Sequence, residues 1–195
     1  MFGISYLDIS AGMGLCATGL LTFNFLLGMM LSTAYKRSVY WKKLPEPIKK
    51  ISIDDLHNWT AYVALLFVLL HPLFLFLDGE SKFSFIHIIN PLSAPKQPTI
   101  VLLGSVSLLA LLILIITTQK IIKKKMSFRL WKNIHLISYG TAFVFLFHGL
   151  LMDPELKDRP TDWLDAEKFF SEFCLLLLIA AGVIRFKYHL KHKVM

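Results

Sequence analysis

The chain has 195 residues, 55% of them hydrophobic, with a mean hydropathy of +0.60. Such apolarity excludes an ordinary soluble domain of this length and turns domain counting into helix counting. The formal net charge of +8 does not point to nucleic acid, because the lysines and arginines collect in a few short segments between apolar runs.

Five apolar stretches are long enough to cross a hydrocarbon core about 30 Å thick. They lie near residues 11–33, 57–77, 99–119, 133–152 and 168–186. The expectation is an all-α integral membrane protein, a single transmembrane domain over residues 1–195. The N-terminal segment has no basic stretch and no small-residue cleavage site, so the first span reads as a retained helix and not a signal peptide. Lys36, Arg37, Lys42, Lys43, Lys49 and Lys50 follow it, with Pro45 and Pro47 expected to break any helix there. The second span is expected to start after Ile53-Asp54-Asp55, an acidic residue capping the exposed amides, and to end at Asp78-Gly79. A loop with Pro91, Pro95 and Pro98 leads into the third span.

Lys120, Lys123, Lys124, Lys125, Arg129 and Lys132 separate the third and fourth spans, and Asp153-Pro154 closes the fourth. The acidic cluster Asp153, Glu155, Asp158, Asp162, Asp165 and Glu167 reads as a solvated loop. Arg185, Lys187, Lys191 and Lys193 follow the fifth span. Short loops rich in Lys and Arg stay cytoplasmic. This predicts the N-terminus outside, the C-terminus in the cytoplasm, and loops 78–98 and 153–167 facing outward. Trp59, Trp131 and Trp163 are placed as an interfacial belt would place them. Cys16 and Cys174 fall inside predicted helices and read as small packing residues, and there is no CxxC or CxxCH. Gly12, Gly14 and Gly19 read as sites of close helix contact.

Four histidines carry the functional signal. His57 and His71 lie near opposite ends of the second span, His135 and His148 near opposite ends of the fourth. At about 1.5 Å per residue each pair is separated by roughly 20 Å along its helix. A single returning helix lies between the two spans, which are therefore parallel. His57 then meets His135 near the cytoplasmic face, and His71 meets His148 near the outer face. Ionisable side chains at such depth are costly unless a function needs them. Two bis-histidine haems stacked across the membrane need this arrangement, since two axial imidazoles make a six-coordinate iron suited to electron transfer.

The helical wheel supports the second span better than the fourth. A step of fourteen residues returns within roughly 40° of the same face, whereas a step of thirteen lands roughly 140° away. Gly140, between His135 and His148, is a place where helix four is expected to distort or admit a porphyrin closely. Phe67, Tyr139, Phe143 and Phe145 lie between the two levels, and Lys120, Arg129 and Lys132 lie near enough to the inner level to pair with haem propionates. His87, His189 and His192 read as solvent or headgroup residues.

The segment Trp131-Lys132-Asn133-Ile134-His135, followed by Tyr139 and His148, resembles the W-x-x-x-H-x12-H signature of ferric reductase-like transmembrane domains. His57 to His71 resembles the H-x13-H of the family's other ligand helix. The resemblance covers roughly residues 50–186. It implies two b-type haems ligated by His57, His71, His135 and His148. Relatives include eukaryotic ferric reductases, NADPH oxidases and the haem subunit of the periplasmic methionine sulfoxide reductase. Members often have six helices, one more than expected here. Those with their own FAD and NADPH domain are longer at the C-terminus, so the likeness is to short bacterial members that draw on a separate flavoprotein or on quinol.

The expected function is that of a multi-pass cytochrome b of the cell membrane, in a bacterium the inner membrane. It passes electrons from a cytoplasmic flavoprotein or quinol to an outer acceptor, a metal ion, oxygen or a periplasmic redox protein. No residue reads as a general acid, base or nucleophile, so no catalytic residue is expected. The alternatives are a quinol-oxidising anchor subunit of a larger complex and a haem-binding sensor or handling protein without net electron flow.

Overall fold

The structure is a computed structural model and describes residues 5–153 and 166–193. Five long helices dominate it: α1 (Tyr6–Ser32), α2 (Ile53–Leu77), α3 (Pro98–Thr118), α4 (Phe128–Leu151) and α5 (Ala166–Lys193). All five are long and apolar enough to cross a membrane. Among the described residues there is no strand. Most of the acidic loop, with Glu155, Asp158, Asp162, Trp163 and Asp165, lies outside the described residues.

The helices begin several residues before their apolar runs because serines set the starts. Ser5 forms a capping box with Asp8: the Asp8 amide donates to the Ser5 hydroxyl and the Ser5 amide to the Asp8 carboxylate. Ser52 accepts from the Asp55 amide and Ser127 from the Leu130 amide. So α2 starts at Ile53 under a serine cap, and Asp54 and Asp55 fall in its first turn, where a negative charge suits the helix dipole. At the other extreme α5 continues through Arg185 and Lys187 to Lys193. The basic tail is helical; polarity marks where a chain leaves the membrane and not where its helix ends. Pro47 also departs from expectation, since it opens a short helix, Glu46–Lys49, where a missing amide costs nothing.

α1 packs antiparallel along α2 and α3 packs antiparallel along α4, while α5 bridges α1 and α4. α2 and α4 run in the same direction and scarcely touch. The end with Lys36, Lys120 and Lys123 is termed the basic end, and the end with residues 78–97 the far end. The buried centre of the bundle is Ala142, Leu146, Cys174 and Leu178, flanked by Phe25, Phe145 and Leu175. Cys174 packs as expected, whereas Cys16 is exposed. A second cluster caps the far end, where Phe83 and Ala94 sit against Leu7, Leu75, Phe76, Val101 and Met152. The loop is pinned there by Ser81, whose hydroxyl donates to Leu75 O at 3.0 Å.

The outer surface of the bundle carries Leu66, Leu109, Leu176 and Ile184, all exposed. A belt of this kind is unfavourable in water and matches a hydrocarbon surround. Packing is concentrated inside, so Leu146→Ala is expected to destabilise by about 2–4 kcal/mol. The same truncation at outward-facing Leu176 is expected to cost about 0.5 kcal/mol or less. Thermal unfolding in detergent measures both.

Candidate functional site: two imidazole pairs across a slot

A cavity of about 940 Å³ runs between α2 and α4 and is lined by all four histidines singled out in the sequence. That volume is at the upper end of the range of about 300–1,000 Å³ usual for ligand and cofactor sites. The histidines meet in the expected pairs. The His57 and His135 ring centroids are 6.3 Å apart with planes at 73°, and those of His71 and His148 are 6.2 Å apart at 77°.

The separation is chemically specific. A metal–imidazole bond of about 2.0–2.1 Å, plus about 1.1 Å from nitrogen to ring centre, puts two axial imidazoles about 6.2–6.4 Å apart across one ion. Both pairs have that spacing. Neither pair has a third protein ligand: among the described residues no group of three or more His, Cys, Asp or Glu is placed to hold a metal. A donor set of two imidazoles with a wide slot between helices fits an iron whose equatorial ligands come from a porphyrin.

α1 fixes the α2 histidines by one device used twice. His57 Nδ1 lies 3.0 Å from Asn24 O and His71 Nδ1 lies 2.8 Å from Ser10 O. A carbonyl only accepts, so each Nδ1 carries the proton and each Nε2 keeps its lone pair for a metal. The same α1 residues reciprocate with their side chains: Asn24 Nδ2 donates to His57 O at 2.5 Å and Ser10 Oγ to His71 O at 2.7 Å. One turn later on α1 stand Gly28 and Gly14, where a Cβ would come within 3.2 Å of the His57 and His71 rings. Fourteen residues separate the two histidines, the two polar partners and the two glycines alike, so one antiparallel register serves both levels.

α3 repeats the device once. His148 Nδ1 donates to Ile100 O at 2.9 Å, and a Cβ on Gly104, again four residues on, would lie 2.8 Å from His148 Cε1. In an α-helix the amide of residue i+4 already donates to carbonyl i. Removing the side chain there lets an imidazole reach the same oxygen. These glycines are the residues the sequence reading missed. Gly14 was read as a helix-packing site, while Gly28 and Gly104 had no local signal.

His135 is held differently. Its Nδ1 is buried with no hydrogen-bond partner among the described residues, as is Trp131 Nε1. Trp131 stacks on it with centroids 5.2 Å apart and planes at 17°, and Lys123 Nζ sits 4.1 Å from the centroid of the Trp131 ring. Trp131 thus faces the site instead of forming a lipid belt, unlike Trp59, which is 69% exposed.

The thirteen-residue step on α4 needs no break in the helix, which is continuous from Phe128 to Leu151. His148 leans on α3 and His135 on Trp131, each from its own side of a broad slot. Gly140 is not involved: a Cβ there meets nothing within 4 Å. Of the aromatic residues, Tyr139 and Phe145 line the cavity; Phe67 does not, and Phe143 lines an outer groove with Ile179 and Phe186. Lys120 and Lys132 line its basic end together with Lys123 and Arg185, while Arg129 is exposed outside it. His87 lines the cavity and was misread as a solvent residue; its Nδ1 accepts from the Ser84 amide at 3.0 Å. His189 is exposed as expected, and the side chain of His192 lies outside the described residues.

Gly104→Ala is expected to displace His148 and to lower haem retention at the far level severalfold. In an open helical position the same change favours the helix by about 1 kcal/mol, so Gly140→Ala is expected to retain wild-type haem content. Pyridine haemochrome quantitation of both purified variants measures the difference.

A family model described as the ferric reductase like transmembrane component matches residues 13–147. The matched span takes in His57, His71 and His135, stops one residue before His148, and excludes α5. No curated protein matches the sequence significantly. With well over half of the chain matched, the protein is a multi-pass membrane protein belonging to the family of ferric reductase-like transmembrane components.

Proposed function

We propose that this chain is a dihaem b-type electron-transfer protein that carries electrons between the two faces of the membrane. The observation that carries the reading is the pair of imidazole separations, 6.3 and 6.2 Å, at two levels of one slot. His57 with His135 are the proposed axial ligands at the basic end, and His71 with His148 those at the far end. Bound there, a haem supplies a one-electron ferric/ferrous couple at each level.

The chain's own residues orient and insulate the pair. Asn24, Ser10 and Ile100 carbonyls hold the Nδ1 protons of three ligands and so aim their Nε2 atoms into the slot. Gly14, Gly28 and Gly104 let the rings lie against helix backbone. Phe25, packed edge-on to Tyr139 at 5.2 Å, and Phe145 keep the space between levels apolar. Lys120, Lys123 and Lys132 line the basic mouth, where they suit propionate carboxylates.

The concentration of lysine and arginine at the basic end supports a cytoplasmic placement of that end. On this reading electrons enter there from quinol or a separate flavoprotein and leave at the far face to a metal ion, oxygen or a redox protein. No side chain in the cavity is placed as a nucleophile, which fits an electron conduit better than a catalyst of bond exchange.

The test is a dithionite-reduced minus oxidised visible spectrum with haem quantitation. Two b haems per chain are expected. His71→Ala and His148→Ala are each expected to lose the same haem, His57→Ala and His135→Ala the other. Colourless wild-type protein, or a spectrum indifferent to all four substitutions, overturns the reading.

A further inference from the structure

α5 lies outside the family-matched span, yet it reaches the cavity at both ends, with Lys168 at the far end and Arg185 at the basic end. Arg185 is partly exposed and donates to Ser32 O, the last carbonyl of α1, at 2.6 Å. Lys168 is different: only 4% of it is exposed. Its ammonium donates to Gly149 O at 3.2 Å, to Leu150 O at 2.7 Å and to Met152 O.

Those carbonyls belong to the end of α4, where backbone acceptors have no amide further along the helix and the dipole is negative. Three ammonium protons meet three carbonyls, which matches the donor capacity of lysine. The first of them is the residue after His148, and His148 O accepts from the Met152 amide at 2.9 Å. Lys168 therefore grips the turn that bears the far ligand. A helix end is closed at far lower cost by glycine or by a neutral hydroxyl, whereas a buried cation within a membrane span is expensive. The charge itself calls for a use.

We propose that Lys168 is a built-in positive charge of the far redox level, positioning His148 through the end of α4 and raising the reduction potential there. The inference rests on the dihaem reading. Adding an electron to a centre is favoured by a nearby fixed cation, and a unit charge about 10 Å away at an effective dielectric of about 20 shifts that equilibrium by roughly tenfold. Asp153 and Glu167 also line this end of the cavity. Their charges enter the absolute potential, while a substitution at Lys168 reports the lysine alone. The potential would thus depend on a helix that the family-matched span does not include.

The experiment is an optical redox titration of the purified haem-loaded protein as wild type, Lys168→Met, Lys168→Arg and Lys168→Gln. Lys82→Met, at an exposed far-end lysine, is the control for a general change of charge. Loss of the cation is expected to weaken reduction of the far haem about tenfold, a fall of roughly 59 mV for one electron, with a smaller shift at the basic-end haem. Lys168→Arg is expected to stay near wild type and Lys82→Met to be silent. If Lys168→Met does not retain haem, Lys168→Gln, which keeps two donors without charge, gives the comparison with Lys168→Arg. A lowered far midpoint supports the inference. Two bound haems with unmoved midpoints in the neutral variants overturn it and leave the dihaem reading standing, whereas absence of haem from the wild type overturns both.

Discussion

An imidazole presents a lone pair in a fixed direction only when its other nitrogen is committed elsewhere, and the rest of this bundle is organised around that commitment. On α2 the partner is α1 backbone, reached because a glycine stands one turn beyond the accepting carbonyl. The side chains of Asn24 and Ser10 return a bond to the histidine's own carbonyl, so the contact fixes both the ring and the helix that bears it. Because the two sets repeat at fourteen residues, slipping α1 against α2 by one turn would break both levels together. Register here is set by hydrogen bonds and close backbone approach, which suits a setting where apolar burial does not distinguish helix from lipid.

The second consequence is a division of labour among helices. α2 and α4 bear the paired histidines and stay apart; α1 and α3 hold the rings from behind; α5 closes the bundle through the Ala142, Leu146, Cys174 and Leu178 cluster. Keeping α2 and α4 apart is what lets a thirteen-residue step function on an unbroken α4. Facing helices in direct contact would require both histidines on one stripe. Across a slot they need only reach a shared axis, and His148 and His135 do so with different supports.

The spans, the four histidines and their pairing were legible in the sequence because each rests on one-dimensional spacing: apolar length for the helices, fourteen and thirteen residues for the ligands. Features that depend on another helix were not. Gly28 and Gly104 look like any membrane-helix glycine until the ring opposite is known. Ser5, Ser52 and Ser127 set the helix starts with polar side chains that a hydropathy window averages away. His87 reads as a loop residue, and only the folding of residues 78–97 over the far end brings it to the cavity. One signal was available and unused: Gly14 and Gly28 share the fourteen-residue spacing of His57 and His71.

The two levels are not equivalent, and the difference bears on direction. At the far end both imidazoles donate Nδ1–H to carbonyls, whereas at the basic end only His57 does and His135 stacks on Trp131. Hydrogen bonding of this kind increases electron donation by the ligand and favours the oxidised metal. Alone, it would set the proposed far haem below its neighbour and make transfer toward the far face uphill. A cation buried beside His148 acts in the opposite sense, since it favours the reduced state. Lys168 stands where such a correction is needed, on the helix that also ties α4 to α1. The hydrogen bonds that aim the far ligands and the charge that offsets their electronic effect are then two halves of one design, and the offset is what would keep an electron moving away from the basic end.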